Sequence, residues 1–159
     1  MGISFKVPGK QSYHIQTVVF DLNGTLMVDG QLRSKTRYLL HRLSEKVGIY
    51  ILTADTQNLA SRLQDIFGEK INVKILSGDH TSAAKRNFVK ELGSGHVAAA
   101  GNGFNDVEML EEAVLSIAVL EAEGCSPDIL FKADIAVRSI DEAFMLLLKP
   151  KRLIATLRC

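Results

Sequence analysis

Thr17-Val18-Val19-Phe20-Asp21-Leu22-Asn23-Gly24-Thr25 is the stretch on which the reading of this chain turns. Four apolar or β-branched residues in succession suit a strand buried on both faces. The run ends on a carboxylate. A strand that delivers Asp21 to its carboxyl end holds that side chain rigidly and aims it outward. Gly24 lets the backbone turn sharply enough for amide groups to face an anion, and Thr25 can cap the turn. Taken alone, the loop is equally an ordinary Asx turn, so the decision falls to the rest of the chain.

Working outward, apolar runs recur at Ile49–Leu52, Val73–Leu76, Val97–Ala100, Ser116–Val119 and Ile135–Val137. Segments with helical spacing lie between them. Leu32, Leu39, Leu40, Leu43 and Val47 make one apolar stripe; Leu59, Leu63 and Phe67 a second; Phe88 and Leu92 a third. Strand–helix alternation predicts an α/β fold with a mostly parallel sheet covered by helices on both faces. Ile3, Phe5 and Val7 alternate with polar neighbours, Pro8-Gly9 signals a type II turn, and Tyr13 to Ile15 follows. Residues 1–15 therefore read as an N-terminal β-hairpin. At the other end, Phe144–Leu148 predicts a last helix on the sheet. Residues 149–159, beginning Lys149-Pro150-Lys151-Arg152-Leu153-Ile154, read as a basic and apolar tail, either solvated or engaged in a subunit contact that covers the site.

No internal repeat, low-complexity segment or linker divides residues 1–159, and their number suits a single domain. A formal net charge of +1 lacks the dense basic face of a nucleic-acid binder. No apolar run approaches the roughly 20 residues that span a bilayer, so no membrane partner is expected. The first residues lack a signal-peptide stretch, which makes the cytoplasm the expected location. Met1-Gly2 opens like a myristoylation signal, but Lys6 stands where Ser or Thr belongs. Cys125 and Cys159 lie far apart and predict neither a disulfide framework nor a zinc site.

In parallel sheets, function gathers in the loops at the carboxyl ends of strands. The second run is followed by Thr53-Ala54-Asp55, where a hydroxyl, a backbone amide and the start of a helix can meet an anion; a plain helix cap by Thr53, Asp55 or Thr56 is the alternative. The fourth run leads into Gly101-Asn102-Gly103-Phe104-Asn105-Asp106, an oxygen-rich loop that suits a hard cation such as Mg²⁺. Lys85 stands near the start of the Phe88/Leu92 helix. A cation is unfavourable there unless an anion is close. A plain surface lysine, as Lys90 is expected to be, is the alternative.

The order DLNGTL (from Asp21), LTAD (from Leu52), Lys85 before FVKEL, and GNGFND (from Gly101) resembles the four motifs of the haloacid dehalogenase superfamily. It is most similar to the phosphorylation domain of P-type ATPases, with its DKTGT, TGD, Lys and GDGxND. The likeness runs over roughly residues 16 to 140 and points to the small stand-alone P-type ATPase-like proteins. It implies the Rossmannoid three-layer fold of that superfamily, with Asp21 as a nucleophile that forms an aspartyl-phosphate. Thr53 and Lys85 would bind the phosphoryl group, with Leu22, Ala54 and Asn105 completing the phosphate site. Mg²⁺ would lie against Asp21, the carbonyl of Asn23, Asn102 and Asp106.

Three departures qualify that implication. Phosphatases of the superfamily carry Asp two residues after the nucleophile, to protonate the leaving group and then activate water. Asn23 stands there and transfers no proton. Asn102 replaces a usual metal ligand, which removes a negative charge and should weaken Mg²⁺ binding. Residues 22–52 read as a loop and one helix, and residues 54–84 as a helix, a strand and a loop. Neither span holds a cap or nucleotide-binding domain, and ATP-driven ion pumping is excluded for this chain alone. A capless site is open to water and to a phosphorylated small molecule or macromolecule, and a homo-oligomer would shield it. The expected activity is therefore slow Mg²⁺-dependent phosphohydrolysis. A phosphate-binding regulatory module that has lost turnover is the alternative, and a subunit completing a split pump ranks last.

Overall fold

The computed structural model describes residues 1–54, 57–78 and 80–159 and, of residues 57–60, only the backbone. The chain opens with an antiparallel hairpin of β1 (Ile3–Lys6) and β2 (Ser12–Ile15), in which Phe5 faces Tyr13 and their rings stack at 4.8 Å. The Lys10 amide donates to the Val7 carbonyl at 3.0 Å and Gly9 has φ 79°, so Pro8-Gly9 forms the expected type II turn.

The apolar runs all become strands: β3 (Thr17–Asp21), β4 (Gly48–Thr53), β5 (Ile71–Ile75), β6 (Val97–Gly101), β7 (Leu115–Val119) and β8 (Ile135–Val137). They pair in parallel in the order β5-β4-β3-β6-β7-β8. Around them lie α1 (Ser34–Ser44), α2 (Gln57–Phe67), α3 (Thr81–Leu92), α4 (Val107–Glu112), α5 (Pro127–Lys132), α6 (Ile140–Leu148) and α7 (Pro150–Leu157). Local signals agree with these bounds. Gly93 ends α3 in the left-handed conformation, Ser139 caps α6 by accepting from the Glu142 amide at 3.3 Å, and Pro127 and Pro150 open α5 and α7.

The two faces of the sheet bury different sets. Val18 and Phe20 pack with Leu40 and Leu43 of α1, Leu63 and Phe67 of α2, and Phe144 of α6; the Leu59 side chain lies outside the described residues. Val19 packs on the opposite side with Phe88 and Val89 of α3 and Met109 and Leu110 of α4. Asp21 shares the phase of Val19, because side chains alternate along a strand. It therefore projects toward the layer that carries α3. The strand order runs one way from β3 through β4 to β5 and the other way from β6 to β8. The point between β3 and β6 is where ligands lie in doubly wound sheets.

Two segments differ from the sequence reading. Within residues 22–33 the chain forms a small hairpin. Val28 and Gln31 exchange backbone hydrogen bonds at 3.1 and 3.0 Å, and Asp29 (φ 51°) and Gly30 (φ 69°) make a type I′ turn. An Asp-Gly pair is the usual composition for that turn, but the flanking residues do not alternate, so periodicity carries no hairpin signal there. The second difference is the tail, which is not free, although its basic residues Lys149, Lys151, Arg152 and Arg158 are exposed. Pro150 starts a helix whose Leu153 and Leu157 are buried against β1 and α6. This helix and the hairpin sit at the amino ends of the strands, where the Gln16 amide donates to the His96 carbonyl at 2.9 Å. The tail, whose alternative reading is a subunit contact that covers the site, thus lies at the other end of the sheet from the site of its own chain. Among the described residues no helix is long and apolar enough to cross a membrane.

Candidate active site

Asp21, at the end of β3, is 7% exposed, and Lys85, one turn into α3, is 1% exposed. The Lys85 ammonium donates to Asp21 Oδ1 at 2.7 Å and to Asp106 Oδ1 at 2.6 Å. One cation is thus shared by two buried carboxylates, one at the end of β3 and one in the turn that follows β6, the strands that flank the switch point. Lys90, by contrast, is exposed. Thr25 donates to Asp21 Oδ2 at 3.3 Å. The other oxygen of Asp106 accepts the amides of Asn102 and Gly103 at 3.2 and 3.1 Å. Gly101 makes that possible: a Cβ there would stand 2.7 Å from the Asp106 side chain.

The electrostatics follow from this packing. Burial, together with the neighbouring Asp106 charge, pushes the Asp21 carboxyl up to about 7, although Lys85 and Thr25 act the other way. For Lys85, burial opposes the charged form, but the two carboxylates outweigh it and hold its pKa above the ordinary lysine value. Two carboxylates and one ammonium leave the cluster one negative charge in excess.

In front of it opens a cleft of about 400 Å³, lined by Asp21, Asn23, Thr53, Ala54, Lys85, Asn102, Gly103 and Asn105. Most of the residues singled out from the sequence therefore converge here. Leu22 and Asp106 do not reach the cleft surface. The Leu22 side chain is in the core and its carbonyl accepts the amides of Thr25, Leu26 and Met27. Asp106 sits behind Lys85. Asp55 and Thr56, the alternative caps, lie outside the described residues. Among the described residues, no group of three or more His, Cys, Asp or Glu side chains is placed to hold a metal.

Sequence reasoning missed one loop, Leu120 to Ser126 after β7. Glu121 Oε1 accepts from Arg33 Nη2 at 2.5 Å and from the Ile140 amide at 2.9 Å. Glu123 Oε1 accepts from the Asp29 amide at 2.8 Å, and the Gly124 carbonyl accepts from Asn102 Nδ2 at 3.1 Å. The loop thereby grips both the small hairpin and the fourth-motif loop. The signal was available, since Glu121-Ala122-Glu123-Gly124 also follows an apolar run, at the carboxyl edge of the same sheet.

Comparison with known proteins fits this architecture. No protein-family model matches the chain. An uncharacterized protein of Methanocaldococcus jannaschii is 41% identical over 69 residues, a match that takes in 43% of this chain and 74% of that protein. A second uncharacterized protein of the same organism is 43% identical over 42 residues, 26% of this chain and 96% of the other. The chain belongs to their family. Its fold is also that of haloacid dehalogenase-type phosphatases. The cobalt-bound deoxy-D-mannose-octulosonate 8-phosphate phosphatase of Haemophilus influenzae superposes with a TM-score of 0.69 at 16% identity, over 89% of this chain and 91% of that one. The 3-deoxy-D-manno-octulosonate 8-phosphate phosphatase of Moraxella catarrhalis gives 0.69 at 22% identity, over 91% and 94%. A HAD family hydrolase of Streptomyces avermitilis gives 0.67 at 20%, over 86% and 87%.

Proposed function

We propose that this family member is a capless, cytoplasmic, Mg²⁺-dependent phosphohydrolase that works through an aspartyl-phosphate on Asp21. The observation that carries the reading is the Lys85 ammonium shared between Asp21 and Asp106 at the switch point. A buried carboxylate with an excess of negative charge around it is costly in a mere scaffold. It is what a site needs if it is to take up a cation and a phosphoryl group.

The donor set fits Mg²⁺. That ion keeps several waters and is usually held by one or two carboxylates with substrate phosphate; Asp21 lines the cleft, Asp106 would join it by exchanging its bond to Lys85 for the ion, and the Asn23 carbonyl is the expected third protein oxygen. When bound, the ion would screen the repulsion between a carboxylate nucleophile and a phosphate dianion. The Moraxella neighbour was solved with magnesium and phosphate ions, which supports the same choice. Asp21 attacks phosphorus, the bond to the leaving oxygen breaks, and that oxygen departs with the electron pair. Lys85 and the Thr53 hydroxyl, with the amides of Leu22 and Ala54 and the Asn105 side chain, hold the phosphoryl oxygens. Water then attacks the aspartyl-phosphate, releasing inorganic phosphate and restoring Asp21.

Within the superfamily, DLNGT, LT, Lys85 and GNGFND resemble the motifs of the P-type ATPase phosphorylation domains, and that likeness is part of the proposal. Among the described residues that line the cleft, Asp21 and Lys85 are the titratable ones, and both are committed to each other. None of these described groups is free to protonate a leaving oxygen, which favours phosphate bonded to a good leaving group, as in aryl or acyl phosphates. The same observation favours a second reading, a phosphate-binding regulatory module with little turnover. A second copy of the chain shielding the open cleft remains part of the proposal.

The test is steady-state hydrolysis of p-nitrophenyl phosphate with Mg²⁺ by the wild type beside Asp21→Asn. Slow turnover that vanishes in Asp21→Asn is the expected result. Activity that survives in Asp21→Asn would overturn the nucleophile assignment, and a wild type that binds a phosphate analogue without turnover would favour the regulatory reading.

A further inference from the structure

Asn102 stands where the resemblance calls for a second acidic metal ligand, and its simplest interpretation is a ligand lost. Its surroundings say otherwise. Asn102 Oδ1 accepts from Thr25 Oγ1 at 3.1 Å and Nδ2 donates to the Gly124 carbonyl at 3.1 Å. Its backbone amide donates to Asp106 Oδ2 at 3.2 Å, and its carbonyl accepts from the Ser126 amide at 2.8 Å. Both ends of one amide are in use, and the partners fix its orientation. Turned over, the side chain would set an oxygen against the Gly124 oxygen.

The close fit extends to Gly24. A Cβ there would lie 2.5 Å from Asn102 Nδ2 and 3.0 Å from Glu123 Oε2, and Gly24 has φ 79°. The nucleophile loop lacks a side chain where the amide passes, so Asn102 packs flush against it. Thr25 has one hydroxyl hydrogen, which Asn102 Oδ1 and Asp21 Oδ2 share at 3.1 and 3.3 Å, so Asn102 helps fix the hydroxyl that faces the nucleophile. The chain of contacts runs from the loop after β7, through Asn102 and Thr25, to the nucleophile.

We infer that Asn102 is a positioning residue whose amide joins the β7–α5 loop to the nucleophile loop and so sets the place of Asp21. The inference rests on the phosphoryl-transfer reading of this site. Aspartate is not an equivalent here. A carboxylate at 102 has no hydrogen for the Gly124 carbonyl, and it would add a third negative charge beside Asp21 and Asp106, with Glu123 close by and Lys85 the one ammonium among them.

The experiment compares Asn102→Asp and Asn102→Ala with the wild type in two ways. The first is kcat and KM for p-nitrophenyl phosphate at saturating Mg²⁺. Asn102→Ala removes the bonds to Thr25 and Gly124 and Asn102→Asp the one to Gly124, so kcat should fall about tenfold in both; KM should stay within about twofold in Asn102→Ala and rise in Asn102→Asp, whose added charge repels phosphate. The second is melting temperature in a chelator, without metal. Asn102→Ala should melt about 2–4 °C below the wild type and Asn102→Asp lower still. A kcat for Asn102→Asp at or above the wild-type value would show a lost ligand restored and overturn the inference. So would wild-type kcat in Asn102→Ala, or wild-type melting of Asn102→Asp in chelator. If the wild type shows no Asp21-dependent hydrolysis, the phosphohydrolase reading fails, and the metal-free melting order still decides the role of Asn102.

Discussion

Replacing Lys85 with Met keeps the length and apolar stem of the side chain and removes the charge that two carboxylates share. The wild-type ammonium is 1% exposed and lies 2.7 and 2.6 Å from Asp21 and Asp106. In Lys85→Met those two oxygens would face each other across two hydrogen-bond lengths with no cation between them. Removing one partner of a buried ion pair costs about 3–5 kcal/mol. Here one partner serves two pairs, which places the loss toward the upper end, a large share of the roughly 5–15 kcal/mol that stabilises a domain. The loss should depend on pH. Asp21 already titrates at about 7 with Lys85 in place, and without Lys85 it moves higher. In the mildly acidic range it would be neutral, leaving Asp106 as the remaining buried charge, which keeps the two amides of Asn102 and Gly103. Most of the lost stability should return there. The chain has no tryptophan, so chemical denaturation followed by far-ultraviolet circular dichroism is the appropriate assay. Measurements are needed at mildly acidic and mildly alkaline pH, with Lys90→Met as control. Lys90 is exposed and 3.7 Å from Glu112, so its loss should stay within about 0.5 kcal/mol. A cost below about 1 kcal/mol for Lys85→Met at alkaline pH, or a cost independent of pH, would refute the shared-cation account.

Other expectations follow from the same site. Asn23→Asp should speed hydrolysis by up to about 10²-fold, the low end of general acid–base assistance, since the added charge also competes for the metal; a burst assay would show whether a phosphoenzyme accumulates in the wild type. Asp21 has a folded pKa raised from 3.8 to about 7, so the folded state holds the extra proton between those values. Metal-free stability should fall as pH rises through that window, and Asp21→Asn should flatten the dependence, as thermal melting in chelator across the range would show. Millimolar Mg²⁺ should raise the melting temperature of the wild type and not of Asp21→Asn; no shift even with a phosphate analogue present would count against the metal site. Light scattering at micromolar concentration should show more than one copy per particle if a neighbour shields the cleft, and a clean monomer removes that part of the proposal.

How much was legible in the sequence depended on how local each signal was. The central strands were readable because both faces of the sheet are buried there, so β3, β6 and β7 are nearly continuous apolar runs; only at the edges do exposed positions intervene, at Asn72 and Lys74 of β5 and Ala136 of β8. The site was readable because three of its parts stand directly after such runs, and Lys85 was readable through its odd place at a helix start. What could not be read was set by contacts between loops distant in sequence. The amide of Asn102 looks like a lost ligand until Gly124 is seen beside it. Residues 149–159 look like a tail because Lys149 and Pro150 break the apolar pattern, whereas Pro150 opens a helix that closes over β1.

The two asparagines, Asn23 and Asn102, act on the same quantity. With Asp21 ionised, the site of Asp21, Asp106 and Lys85 carries one net negative charge. A divalent cation would turn this into one net positive charge, facing a phosphate dianion. With aspartate at both positions the cleft would hold two more negative charges and stay negative even with the cation bound. The present composition therefore favours holding phosphate over holding metal. It should also slow the departure of inorganic phosphate, because that anion leaves a site that attracts it. Tight phosphate retention is then an electrostatic consequence, separate from the slow chemistry that the missing base at Asn23 imposes. The measurement that separates this from a simple missing base is product inhibition. Asn102→Asp should weaken inhibition by inorganic phosphate, whereas a site limited only by the absence of a base at Asn23 would leave that inhibition unchanged.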